Sequence, residues 1–226
     1  MKKHELLKKF ITGLAKGHSN SLIVLSKAGH GKTATTFATM DELGYEEGKH
    51  YLYLSNYASP LAFYELLQEV NNLREPKLLI LDDVEETLKN SRIVGLLKGA
   101  LWEAKGKRRV CWLSTANMGI TPEFNFTGRI IFLLNSLNEK NPSVYAFKDR
   151  GFFFEINLNK EEMLELMAEK VKDEYKGIPY EKRKEIMEFV KKVGRIESMT
   201  LRLLPKAYNS FLVSPNHWRE LVMEII

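Results

Sequence analysis

Ser26-Lys-Ala-Gly-His-Gly-Lys-Thr33 follows the apolar run Leu22 to Leu25 and opens a stretch of helical patterning from about Lys32 to Leu43. A strand, a glycine-rich turn and a helix in that order present several backbone N–H groups to one point, and the helix dipole adds to their pull on an anion. Gly29 and Gly31 permit the tight backbone path. Lys32 places a point charge where β- and γ-phosphates would lie, and the Thr33 hydroxyl suits Mg²⁺. The expected cofactors are therefore ATP and Mg²⁺, with contacts from Ala28, Gly29, His30, Gly31, Lys32, Thr33 and Ala34. One departure stands out: the pattern asks for glycine where this chain has Ser26, a residue small enough for the loop to form. The competing reading, a Gly-Lys-Thr in an ordinary turn, is weakened by the strand before it and the helix after it.

Working outward, residues 4–16 form an amphipathic helix with Leu6, Leu7, Phe10, Ile11 and Leu14 on one face. Tyr51 to Leu54 is a second strand, and Ser59-Pro60 starts a helix over 61–72. Leu78 to Leu81 is a third strand running into Asp82-Asp83. Residues 91–104 read as a helix, broken by the basic turn Lys105-Gly-Lys-Arg-Arg109. Val110 to Leu113, Ile130 to Leu134 and Phe152 to Ile156 are strand-like. Beyond Asn159 the pattern is helical throughout, over 160–175, 180–193, 198–212 and 215–225, with Asn159 as the first cap. Strands alternating with helices imply a parallel sheet covered on both faces. The expected domains are an α/β nucleotide-binding domain over 1–158 and an all-helical lid over 159–226.

An apolar strand ending in two acids is what a second magnesium element needs, because the strand carries a carboxylate rigidly to the sheet edge where the phosphate loop also lies. Asp82 is expected to hold Mg²⁺ together with Thr33, and Asp83 to orient or deprotonate the attacking water. Glu85 and Glu86 are alternative bases, or the solvated start of a helix.

Composition sets bounds. The 226 residues carry a formal charge of +5 and a single cysteine, Cys111, which excludes an internal disulfide and a cysteine zinc site. No apolar run approaches the length of a membrane span, and the N-terminus is an amphipathic helix, not a secretion signal. A cytoplasmic protein with no membrane partner is expected. The mild positive charge favours contact with nucleic acid without requiring it. Abundant Lys and Glu beside a lone glutamine, Gln68, is a thermophile tendency, although A/T-rich coding also enriches lysine.

With a P-loop, an apolar strand ending in two acids and a helical tail, the chain resembles the AAA+ ATPases. The Asp82-Asp83 pair is similar to the initiator and helicase-loader branch. Ser59-Pro-Leu-Ala-Phe-Tyr64 and Val94-Gly-Leu-Leu-Lys-Gly-Ala100 resemble ATPases borne by phages, viruses and plasmids. The resemblance covers essentially the whole chain and implies a five-stranded, mainly parallel core of order 5-1-4-3-2. It also implies a polar sensor residue at the end of the strand between the P-loop strand and the acidic strand. Asn117 and Asn135 are the candidates, and Asn135 is preferred because Ile130 to Leu134 is the better continuous apolar run. Arg150, directly before the last strand, then matches an arginine finger that reaches a neighbouring subunit's ATP, which implies a homo-oligomer. The plainer reading of Arg150 is an ion pair with Asp149 or Glu155, and Arg129 is the other finger candidate. In the tail, Ser198-Met-Thr-Leu-Arg-Leu-Leu resembles the second sensor helix, with Arg202 directed at the γ-phosphate and Arg195 as second choice.

The stretch 105–128 falls where some members of that family insert a hairpin. Lys105, Lys107, Arg108 and Arg109 beside Trp112 make it a candidate nucleic-acid contact, as are Lys2, Lys3, Lys8 and Lys9, though charge at a tight turn is commonly just solvated. Three functions compete. The first is an oligomeric ATPase remodelling DNA or a DNA-bound protein client, of the replication-initiation or helicase-loading type. The second is an ATP-driven assembly switch with little hydrolysis, because Asp83 is one methylene shorter than the usual glutamate. The third is a small-molecule P-loop kinase.

Overall fold

The computed structural model describes residues 2–113, 121–137, 147–194 and 199–226. Five strands form a wholly parallel sheet: β1 (Ser21–Ser26), β2 (Tyr51–Ser55), β3 (Leu78–Asp82), β6 (Arg129–Leu134) and β7 (Phe152–Ile156), in the order β2-β3-β6-β1-β7. Counted along the chain, these five core strands stand in the expected order 5-1-4-3-2. Two shorter strands, β4 (Arg109–Cys111) and β5 (Glu123–Asn125), pair antiparallel as a separate hairpin inserted before β6.

A parallel sheet has to be covered on both faces, and the central strands are apolar at successive positions for that reason. Leu79, Leu81, Ile130, Phe132 and Leu134 join Phe63, Tyr64 and Leu67 of α3 (Pro60–Asn72) and Ile93, Leu97 and Ala100 of α4 (Ser91–Leu101) in one apolar cluster. The alternate set, Leu78, Ile80, Ile131 and Leu133, is equally buried. Toward β1, β6 and β7 packs α1 (Lys3–Ala15), with Leu7, Ile11 and Leu14 fully buried.

Local chemistry sets the helix ends. The Ser59 hydroxyl accepts from the Ala62 N–H at 3.3 Å with Pro60 in the first turn of α3. The Asn90 side chain accepts from the Arg92 N–H at 3.0 Å to start α4. That helix stops at Leu101, three residues short of the 91–104 expected. Arg108 is the cause: it is buried, and its Nη1 donates to the Ala100 carbonyl at 3.2 Å while its guanidinium lies over the Phe126 ring. Burial pulls its pKa down to about 10. Arg108 is therefore a helix-end cap and not part of a basic surface, which leaves Lys105, Lys107 and Arg109 exposed.

The second compact unit comprises Asn157–Ile226 together with Ala28–Gly31. Its helices are α5 (Lys160–Lys170), α6 (Tyr180–Val193), α7 (Leu203–Val213) and α8 (Trp218–Met223) around Met163, Met167, Ile186, Val190, Leu204, Tyr208 and Trp218. Asn159 caps α5 as anticipated, in a reciprocal box: its side chain accepts from the Glu162 N–H and the Glu162 carboxylate accepts from the Asn159 N–H, each at 2.9 Å. The helix ends earlier than the expected residue 175, because buried Arg183 takes the Val171 carbonyl at 3.0 Å and the Ile178 carbonyl as well. The next-to-last helix starts at Leu203; Ser198, expected as its cap, and Arg195 lie outside the described residues. Within this unit the Leu201 N–H donates to the Gly29 carbonyl at 2.9 Å. Among the described residues no helix is long and apolar enough to cross a membrane.

Gly151 offers a test of how closely β7 docks on β1. A Cβ there would sit 2.4 Å from the Ser21 carbonyl oxygen and 2.1 Å from its Oγ. Gly151→Ala should lower the unfolding free energy by about 1–3 kcal/mol, read as a lower urea midpoint at unchanged slope. An unchanged midpoint would mean that this strand contact is looser than a 2.4 Å approach to the Ser21 carbonyl oxygen requires.

Candidate functional site

Parallel strands deliver all their C-terminal ends to one edge, and here β6 lies between β1 and β3 in aligned register. Three segments distant in sequence meet at that edge. Lys32, the first residue of α2 (Lys32–Glu42), follows β1; Asp82 ends β3 and Asp83 directly follows it; Asn135 directly follows β6. The Lys32 ammonium, on a buried side chain, donates to Asn135 Oδ1 at 2.6 Å and lies 3.6 Å from Asp83 Oδ1. Asn135 Nδ2 in turn donates to Asp83 Oδ1 at 2.7 Å. Thr33 Oγ1 donates to Asp82 Oδ2 at 2.8 Å. Asn117, the other sensor candidate, lies outside the described residues.

The loop's backbone is set by two glycines. Gly29 and Gly31 have φ of 78° and 84°, in the left-handed region that L side chains resist. Ser26 is instead the last residue of β1, extended and paired with Ile156. The position therefore demands no positive φ, and serine replaces glycine there without backbone strain. His30 is buried, while Ala28 and Ala34 are exposed.

Asp83 does have a left-handed backbone, with φ of 52°, and its N–H donates to the Leu133 carbonyl at 3.0 Å. Strain of this kind gathers where a side chain must be aimed. Glu85, an alternative base in the sequence, is committed elsewhere: its Oε1 accepts the Asn135 N–H at 2.6 Å and the Ser136 N–H at 3.4 Å. Glu86 pairs with Lys89.

Asp82 is 4% exposed, and one of its carboxylate oxygens, Oδ1, has no partner among the described residues. An orphaned buried carboxylate oxygen beside a threonine hydroxyl suits a hydrated magnesium ion, which takes one or two protein oxygens and completes its shell with phosphate and water. Among the described residues no group of three or more His, Cys, Asp and Glu could cage a metal, so Thr33 and Asp82 would hold the ion with the nucleotide. Oδ2 also accepts the Tyr53 hydroxyl at 3.2 Å. Nothing in the sequence marks Tyr53, which reads as an ordinary strand tyrosine. It comes into reach because it stands two residues before Ser55, the register partner of Asp82.

The remaining residues lie elsewhere. Arg150 precedes β7 at the N-terminal edge of the sheet, opposite Lys32, since Phe152 pairs with Leu22. Its guanidinium stacks on the Trp102 ring at 4.3 Å, and its Nη1 is buried with no partner among the described residues. Among the described residues neither Asp149 nor Glu155 forms an ion pair with it; the aromatic face holds it instead. Arg129 is pinned at the start of β6 by Glu75 and the Pro76 carbonyl. Arg202 is exposed, immediately before α7 in the helical unit.

Burial is the largest influence on the Asp82 carboxyl and raises its pKa above the ordinary 3.8; the neighbouring Asp83 also raises it, while Thr33, Tyr53 and Lys32 oppose. The native state then holds this proton more tightly than the unfolded chain does. The associated stability is present below 3.8 and lost as pH rises through the raised native value. Asp82→Asn keeps an acceptor for both donors and does not titrate. Without nucleotide or metal it should melt higher than the wild type at pH 7, with the gap closing as pH falls toward 3.8. A gap independent of pH would contradict this electrostatic account.

No protein-family model matches the sequence. The chain is 25% identical over 241 residues to an uncharacterized 36.7 kDa protein from the nrdC-mobD intergenic region of Enterobacteria phage T4, covering 97% of this chain and 72% of that one. In three dimensions it is similar to a RuvB variant from Thermotoga maritima, with a TM-score of 0.59, 13% identity, and coverage of 99% of this chain and 68% of that one. It is also similar to a DNA replication initiation factor, with a TM-score of 0.56, 15% identity, and coverage of 96% of this chain and 62% of that one, under two thirds of its length. Both of these structures are AAA+ ATPases. Sheet order, phosphate loop and these likenesses agree: the chain has the AAA+ P-loop NTPase fold.

Proposed function

We propose that this protein is an AAA+ ATPase that binds and hydrolyses ATP at subunit interfaces and uses the cycle to remodel DNA or a DNA-bound protein. The observation that carries the reading is the convergence of Lys32, Asn135 and Asp83 within hydrogen-bonding or ion-pair distance, beside the Thr33–Asp82 pair. Each group suits one task in phosphoryl transfer to water. Lys32 meets the β- and γ-phosphates with a positive charge. Thr33 and Asp82 would hold magnesium, which would supply positive charge to the phosphate oxygens. Asn135, already in contact with both Lys32 and Asp83, orients the attacking water, and Asp83 accepts its proton. Arg202, from the helical unit, is assigned to the γ-phosphate in the same chain.

Arg150 is assigned to the neighbouring subunit's ATP. Its place at the sheet edge opposite Lys32 supports a role in trans over one in cis. The DNA-directed part of the proposal rests on the exposed Lys105 and Lys107 in the turn before the inserted hairpin and on Arg109 at its start. It rests also on the likeness to RuvB and to a DNA replication initiation factor. The assembly-switch reading keeps one specific support: the Asp83 carboxylate is engaged by both Asn135 and Lys32, so a water must compete for it.

Turnover measured against protein concentration, with and without single- and double-stranded DNA, tests the core of the proposal. The rate per chain should rise with concentration, and ATP-dependent assembly with no turnover under any condition would favour the switch. Lys32→Ala and Arg150→Ala should each be inactive alone, with losses of about 10³-fold or more. Mixed in equal amounts they should regain activity, because about a quarter of the interfaces then combine an intact loop with an intact finger. Full activity of Arg150→Ala by itself would rule out the finger. Reversing charge at Lys105, Lys107 and Arg109 together should abolish any DNA stimulation while leaving the basal rate intact.

A further inference from the structure

We infer that Tyr53 is a positioning residue for the metal site, fixing which oxygen of Asp82 faces the cation; this rests on the metal role proposed for Asp82. A carboxylate hanging from one hydrogen bond is poorly defined, because the terminal torsion of aspartate is broad and nearly two-fold. A lone Thr33 donor could be served by either oxygen. Two donors from different elements remove that freedom. Thr33 from α2 and Tyr53 from β2 both donate to Oδ2, at 2.8 and 3.2 Å. Oδ1 is left as the buried oxygen without a partner among the described residues.

The tyrosine is itself held. Phe37 lies four residues beyond Thr33 on α2, hence on the same face of that helix. Its ring packs edge-on against Tyr53 with centroids 5.1 Å apart. One helix therefore supplies both the first donor to Asp82 and the packing that aims the second. The circuit Thr33, Asp82, Tyr53, Phe37 closes on itself through α2, β3 and β2. Supporting groups of this kind typically alter metal affinity by about 10–100-fold when removed.

The test uses Mn²⁺ as the probe ion, with free and bound metal distinguished by electron paramagnetic resonance in the presence of ADP. Tyr53→Phe, which keeps the ring and its contact with Phe37, should weaken Mn²⁺ binding by about 10–100-fold. ADP affinity in EDTA should stay within about twofold of the wild type, because Lys32 and the loop set it. In an Asp82→Asn background the same substitution should add little, since the two side chains act as one unit. Wild-type Mn²⁺ affinity in Tyr53→Phe overturns the inference. So does a full additional loss in the double variant, or an equal loss of metal-free ADP affinity. If Asp82→Asn itself binds Mn²⁺ as the wild type does, the metal role of Asp82 fails, and the assignment beneath the inference is what has been refuted.

Discussion

The register of β6 between β1 and β3 is the constraint from which the candidate site follows. Leu22 aligns with Ile131 and Leu81 with Phe132, so the ends of the three strands stand level. Lys32, Asn135 and the Asp82–Asp83 pair then lie side by side although some fifty residues separate each from the next in the chain. A slip of one residue in either pairing would turn every strand side chain to the other face. The continuous apolar character of β3 and β6 is thus what holds polar groups in place. The core fixes the register, and the register fixes the chemistry.

The C-terminal edge carries features that do not favour stability. Asp82 is buried with one oxygen lacking a partner among the described residues, and Asp83 is held at φ of 52°. Lys32 is almost fully covered. Local rules broken together, on a sheet that otherwise obeys them, mark a site maintained against its own folding preference. The contrast with Arg108 and Arg183 is useful, because those arginines are buried too. Each spends its guanidinium on backbone carbonyls at a helix end or loop, and so each is accounted for by the fold alone.

The fold was legible because its signals are local. A strand, two glycines, a lysine and a threonine announce the phosphate loop, and apolar runs separated by amphipathic helices announce a parallel sheet. Asn135 could be placed because a doubly covered strand must be apolar throughout, a property visible in Ile130 to Leu134. Features that depend on contacts across the fold were not legible. The early ends of α4 and α5 are set by Arg108 and Arg183, which lie seven and thirteen residues beyond the last helical residues they help to terminate. Tyr53 is invisible for a similar reason, since a half-buried strand tyrosine shows its partner only when the neighbouring strand and helix are in place. Likewise, no pattern along the chain pairs Arg150 with Trp102.

The opposite placement of Arg150 and Lys32 on the parallel sheet bears on symmetry. A two-fold axis brings identical patches together, so it would set finger against finger and loop against loop. If Arg150 serves a neighbour's nucleotide, each subunit must present a donor surface to one partner and an acceptor surface to another. Such a contact is heterologous, and repeating it yields either a ring, if the rotation closes, or a helical filament, if it does not. A terminal subunit of an open assembly would then carry one loop without a finger or one finger without a loop. The polarity of a sheet whose strands all run one way would thereby be handed on to such an assembly as a direction.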